Sequence, residues 1–103
     1  MLSYTIKNNN GAVTVTVAGR VDNEGAIPFQ ESLDKTFEVN PRSVTFDLTD
    51  VAFINSTGIG KLLLFYKRVK NRSGEILITG INDDVYTLFK AIRLDKLIPI
   101  EKK

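Results

Sequence analysis

Val44-Thr45-Phe46-Asp47-Leu48-Thr49-Asp50-Val51-Ala52-Phe53-Ile54-Asn55-Ser56-Thr57-Gly58-Ile59-Gly60 changes its hydrophobic period part-way along. Val44, Phe46 and Leu48 alternate with Ser43, Thr45 and Asp47, a period of two that predicts a strand in the middle of a sheet. Past Thr49-Asp50 the pair Phe53-Ile54 leads into four small or polar residues. From there Ile59, Leu62, Leu63, Tyr66 and Val69 follow the i, i+3, i+4, i+7 rule. That spacing predicts a helix over about 57–72 with this face on the sheet. Ser73-Gly74 ends it. A strand handing over to an amphipathic helix is the unit of an α/β fold.

Upstream, Tyr4 and Ile6 alternate with polar residues, as do Val13, Val15 and Val17. Asn8-Asn9-Asn10-Gly11 lies between them, and Asn-Gly is a strong hairpin signal. Antiparallel strands are expected near 2–7 and 12–18. Gly19-Arg20-Val21-Asp22-Asn23 breaks the alternation, and a helix is expected from there to about Glu38, capped by Asp22 or Asn23. Ala26, Phe29, Leu33 and Phe37 form its core face, and Asn40-Pro41 stops it. Downstream, Ile76 and Ile78 predict a fourth strand. Asn82 or Asp83 caps a last helix with Val85, Leu88, Phe89 and Ile92 on one face. Leu97-Ile98-Pro99-Ile100 offers a short edge strand. The order is β-β-α-β-α-β-α. The opening hairpin makes the sheet mixed, the crossovers make the rest parallel, and 1–103 reads as one domain.

The 103 residues include 43% hydrophobic and 25% charged side chains, the composition of an ordinary globular domain. The formal charge of +2 does not mark a nucleic-acid binder. The basic residues Lys67, Arg68, Lys70 and Arg72 gather where a helix C-terminus favours cations, without interleaved exposed aromatics. No nucleic-acid partner is therefore expected. No apolar run is long enough to cross a bilayer and no signal peptide is visible. A cytoplasmic location without membrane insertion is expected.

With no His and no Cys, a Ser-His-Asp triad, a Cys-His pair and a His or Cys zinc site are excluded. Gly58-Ile59-Gly60-Lys61 fails as a Walker A loop, which would need Gly at Asn55 and Ser or Thr at Leu62. Asp22, Asp47 and Asp50 read as caps or solvent-facing groups rather than cation ligands. A Ser56–Lys61 catalytic pair needs a buried lysine, and Lys61 is expected in solvent. No cofactor is expected, and catalysis is not indicated.

Asn55, Ser56 and Thr57 precede the main helix, where a short polar side chain accepts hydrogen bonds from unpaired N–H groups. One such residue suffices for a cap. Three in a row, followed by two glycines that each cost up to about 1 kcal/mol relative to alanine, ask for a further reason. Either the helix start packs closely on another backbone, or a partner must reach it.

The stretch 44–60 resembles the signature of STAS domains, specifically the bacterial anti-sigma factor antagonists. Their pattern is a hydrophobic strand, an Asp-containing turn, an aromatic, then Asp-Ser-Ser/Thr-Gly-Leu/Ile-Gly. Gly19-Arg20-Val21-Asp22 resembles their Gly-x-Leu/Val-Asp segment. The resemblance implies a sheet of four or five strands with helices mainly on one face. It implies that Ser56 is phosphorylated by an anti-sigma factor that is itself a serine kinase of the histidine-kinase-like ATPase type. The unphosphorylated antagonist binds that kinase and frees the sigma factor, and a PP2C-type serine phosphatase resets the switch. Asp22 takes the place of a family Asp beside the phosphorylation site. The expected partner-binding surface is Asp22, Asn23, Asn55, Ser56, Thr57 and Gly58, with the exposed face of the following helix. The chain departs from the family in having Asn55 where Asp is usual, which keeps a cap but removes a negative charge. Two other functions stay open: a STAS scaffold subunit of a lipid-transport or sensory assembly, without phosphorylation, and a nucleotide-binding protein using the glycine turn.

Overall fold

Asn10 and Gly11 both take positive φ, 54° and 92°, as the tight hairpin turn requires. The turn joins strand β1 (Leu2–Asn9) to β2 (Ala12–Val21), which pair antiparallel from Leu2↔Gly19 to Asn9↔Ala12. The structure, a computed structural model, describes residues 1–102. Helix α1 (Ala26–Glu38), strand β3 (Ser43–Ile54), helix α2 (Ser56–Asn71), strand β4 (Glu75–Ile81) and helix α3 (Asp83–Ala91) follow. The sheet runs β1-β2-β3-β4, with β2–β3 and β3–β4 parallel, so β3 is interior as expected. Ile100 adds a single parallel bridge to Ile78 after a 3₁₀ turn at Leu94–Lys96, less than the expected edge strand.

One face of the sheet holds the core. Val13, Val44 and Ile76 stand in register across β2, β3 and β4, and so do Val15, Phe46 and Ile78, all buried. The opposite face carries Thr5, Thr14 and Thr16 in the open, so the helices cover one side. The Phe46 ring meets Phe65 of α2 edge-on, with centroids 5.7 Å apart at 78°. Phe29 and Leu33 of α1 and Phe89 of α3 complete the interior.

Several expectations need correction. Gly19-Arg20-Val21 does not break β2. Gly19 takes φ 114°, and the β2–β3 register shift beside it places the extra residue, Ala52, in β3, so β2 continues through Gly19 to Val21. Neither Asp22 nor Asn23 caps α1. Its N-cap is Gly25, without a side-chain bond, and Asp22 instead holds the turn before it. The buried stripe of α2 is Gly58, Leu62, Phe65 and Val69, so Phe65 replaces Ile59, Leu63 and Tyr66, which are only partly buried. Of the α3 face, Val85 and Phe89 are buried while Leu88 and Ile92 stay in contact with solvent. Asn82 is the α3 cap, accepting from Val85 N at 3.0 Å.

Candidate functional site

Parallel β2 and β3 end side by side, with Val21 opposite Ile54. The chain leaves both strands at the same end of the sheet, where loops from adjacent parallel strands form a site. Asn55 N donates to Val21 O at 2.9 Å, which ties the start of α2 to the end of β2. Asn55 then works with both ends of its amide. The Oδ1 accepts from Gly58 N at 2.8 Å and caps α2, while Nδ2 donates to Asn23 Oδ1 at 3.3 Å. An aspartate at 55 could do the first and not the second. The departure from the family pattern thus has a partner in this chain, Asn23.

Ser56 is the first residue of α2 and is exposed, as is Thr57. With the cap supplied by Asn55, the Ser56 hydroxyl is left to solvent. Gly58 is buried under the turn. A Cβ there would meet Val21 Cγ1 at 2.5 Å and Ile54 Cγ1 at 2.9 Å, so the first glycine is required by close packing on the sheet.

Asp22 is half-buried on the neighbouring turn. Its Oδ1 accepts from Gly25 N at 2.8 Å, and its Oδ2 lies 3.8 Å from Arg20 Nε. The Gly25 N–H, helped by the Arg20 guanidinium, holds the carboxyl below its ordinary value, so Asp22 is an anion at neutral pH. Arg20 in turn lies over the Phe53 ring, 4.6 Å from its centroid. The expected site residues therefore converge on one end of the sheet: Asn23 and Asn55 in direct contact, Asp22 fixed beside them, Ser56 and Thr57 on the surface, and Gly58 beneath.

The Arg20–Phe53 pair was not anticipated, and neither was the destination of Lys61. Its Nζ donates to Gln30 Oε1 of α1 at 3.2 Å instead of ending in solvent. Beside it a groove of about 650 Å³ opens between α1 and α2, with Ile27, Gln30, Asp34 and Thr57 among its walls. Ile27 is 74% exposed and lies out of phase with the core face of α1, a signal the sequence did carry. Asp47 accepts from Thr49 N and Oγ1, at 3.1 and 2.7 Å, and is neither a helix cap nor a simple solvent-facing group. Among the described residues no three acidic side chains gather where they could hold a cation. No helix among them is long and apolar enough to cross a membrane.

The cap gives a first prediction. Asn55→Ala should lower stability by about 1 kcal/mol, read as a lower denaturation midpoint in urea. Asn55→Asp should keep the cap and most of that stability, since a carboxylate still accepts from Gly58 N. An equal loss in both variants would transfer the weight from the cap to the Asn23 contact.

A mixed four-stranded sheet covered by helices on one face, with an exposed serine opening the helix after β3, defines a small α/β domain with a single helical layer. The STAS domain profile matches residues 3–103, and the chain belongs to that family. It is 30% identical to the anti-sigma-B factor antagonist of Listeria monocytogenes over 90 residues, 86% of this chain and 78% of that protein. It is 27% identical over 82 residues to the intermembrane phospholipid transport system binding protein MlaB of Escherichia coli, covering 79% of this chain and 80% of MlaB. The crystal structure of an anti-sigma factor antagonist from Mycobacterium paratuberculosis superposes with a TM-score of 0.86 at 20% identity, over 97% of this chain and 85% of that one.

Proposed function

We propose that this protein is a cytoplasmic anti-sigma factor antagonist, a regulatory binding protein that changes partner through phosphorylation of Ser56. In its unphosphorylated form it binds an anti-sigma factor that is also a serine kinase of the histidine-kinase-like ATPase type, and so releases the sigma factor. Phosphorylation of Ser56 ends that binding, and a PP2C-type phosphatase restores it. The docking surface is centred on Ser56 and includes Asp22, Asn23, Asn55, Thr57 and Gly58.

The observation that carries this reading is the division of labour at the start of α2. Asn55 takes the capping role, so Ser56 is exposed at the first helical position with no structural duty of its own. A hydroxyl presented in this way suits transfer from an external kinase. The likeness to the Listeria antagonist supplies the kind of partner.

The test is to incubate the chain with the anti-sigma factor kinase of its own organism and Mg-ATP. One phosphoryl group per chain is expected, located at Ser56 by fragmentation and absent from Ser56→Ala. Modification that persists in Ser56→Ala would move the site elsewhere.

The likeness to MlaB supports a second reading, a STAS scaffold subunit that is never phosphorylated. It predicts no phosphoryl transfer, together with stable association with a transport subunit. Nucleotide binding is the remaining alternative. A titration with ATP should leave the melting temperature of the isolated chain unchanged, and a saturable rise would favour that alternative.

A further inference from the structure

Helix α2 has two glycines, and the fold accounts for one. Gly58 packs on Val21 and Ile54, whereas a Cβ on Gly60 would meet nothing within 4 Å. Gly60 also has no positive φ to accommodate. Neither packing nor backbone conformation requires glycine there.

Its place on the helix sharpens the question. Gly58, Leu62, Phe65 and Val69 are the buried stripe. At roughly 100° per residue, the opposite stripe is Ser56, Gly60, Leu64, Lys67 and Asn71, with Gly60 in its middle. On such a solvent-facing stripe intrinsic propensity decides what is best, and glycine is the poorest choice apart from proline. One turn further on, Leu64 is 63% exposed, again out of phase with the core. A bare patch of backbone and an uncovered leucine thus follow Ser56 at successive turns of one stripe.

We propose that Gly60 is kept bare for close approach of the kinase that takes Ser56, with Leu64 as the apolar anchor beside it. This rests on the Ser56 reading, which also identifies the occupant. Phosphoryl transfer needs the donor phosphate in line with the Ser56 hydroxyl, so the enzyme must cover the face from which that hydroxyl emerges. Gly60 lies on that face about 6 Å along the helix axis. A side chain at 60 would stand between the two surfaces.

Two opposed effects are expected of Gly60→Ala. The melting temperature of the chain should rise by roughly 2–8 °C, since alanine is the better helix former and meets no clash. Affinity for the purified anti-sigma factor kinase with Mg-ADP, measured by titration calorimetry, should fall roughly tenfold or more. Leu64→Ser should also weaken binding with little change in melting temperature. A lower melting temperature in Gly60→Ala would assign the glycine to the fold, and unchanged affinity would remove the close approach; either overturns the inference. If wild-type Ser56 is phosphorylated while Gly60→Ala binds as wild type does, the inference fails and the phosphoswitch stands. If the wild-type chain neither binds the kinase nor accepts phosphate, both fail. A self-associated chain that Gly60→Ala dissociates would make a second copy the occupant and overturn the kinase assignment.

Discussion

Phe46→Ala is expected to lower the stability of the domain by about 3–5 kcal/mol, the largest loss of any single truncation considered for this chain. Phe46 is wholly buried on the interior strand, between Val15 of β2 and Ile78 of β4 in the sheet register. Its ring also receives Phe65, so one side chain joins the sheet to the helix that opens with Ser56. Truncation removes the transfer free energy of the ring, leaves a cavity, and forfeits an edge-to-face contact worth about 0.5–1.5 kcal/mol. Domains of this kind have about 5–15 kcal/mol in total, so a large part of the molecules could unfold at physiological temperature. Urea denaturation should show a much lower midpoint with an unchanged slope, the mark of lost stability rather than lost cooperativity. Phe46→Leu, which keeps most of the volume, should lose about 1–2 kcal/mol. A loss below about 1 kcal/mol in Phe46→Ala would mean that α2 is held to the sheet elsewhere, with Gly58, Leu62 and Val69 its other buried residues.

The order of elements was legible because each strand and helix keeps its own period over several residues. Where the reading failed, a break in period was the cause. In β3 the buried residues run 44, 46, 48 and then 51 and 54. Two register shifts in the β2–β3 pairing insert extra residues in β3, so strict alternation ends although the strand continues. The segment that the family pattern implies to be an Asp-containing turn, Thr49-Asp50, lies instead within a strand that runs on to Ile54. Phe65 was missed because the stripe it belongs to begins at Gly58, which has no side chain to register in a hydrophobic pattern. Leu88 and Ile92 fit the α3 pattern and still remain exposed, because the buried stripe of α3 is Val85 and Phe89 and the other two lie at its margin.

The candidate site was legible wherever its bonds are local. Asn55 capping Gly58 N spans three residues and follows from helix-end chemistry. The bond from Asn55 to Asn23 joins residues 32 positions apart, and that from Lys61 to Gln30 residues 31 apart. Neither has a signature in a single sequence, because both depend on how the ends of β2 and β3 are aligned. Long-range alignment is also why the substitution of Asn for the family's Asp was visible at once while its partner was not.

Ser56→Asp is expected to separate the effects of negative charge on the fold and on the complex. Helix α2 has no acidic residue in its first turn, so beyond the neutral Asn55 cap no carboxylate of its own meets its N-terminal partial charge. A carboxylate at 56 meets that end of the helix favourably, by about 0.3–1 kcal/mol, and the melting temperature should hold or rise slightly. In the complex the sign reverses. A partner that covers Ser56 must strip water from the new anion, at a cost of several kcal/mol when no cation faces it. Asp22, held ionised on the adjoining turn, adds repulsion. The affinity for the kinase should fall roughly a hundredfold, equivalent to about 2.7 kcal/mol. A phosphoserine should do more, since it carries about −1.5 to −2 charges where aspartate carries one. Raising the salt concentration should recover little of the loss, because a charge buried in an interface is weakly screened. Binding of Ser56→Asp equal to wild type would show that charge is not what ends the complex. Equal binding to a transport subunit by wild type, Ser56→Ala and Ser56→Asp, with no phosphoryl transfer, would instead support the MlaB-like scaffold. The difference between those two functions thus comes down to whether a partner must desolvate one exposed hydroxyl, which the fold itself leaves unused.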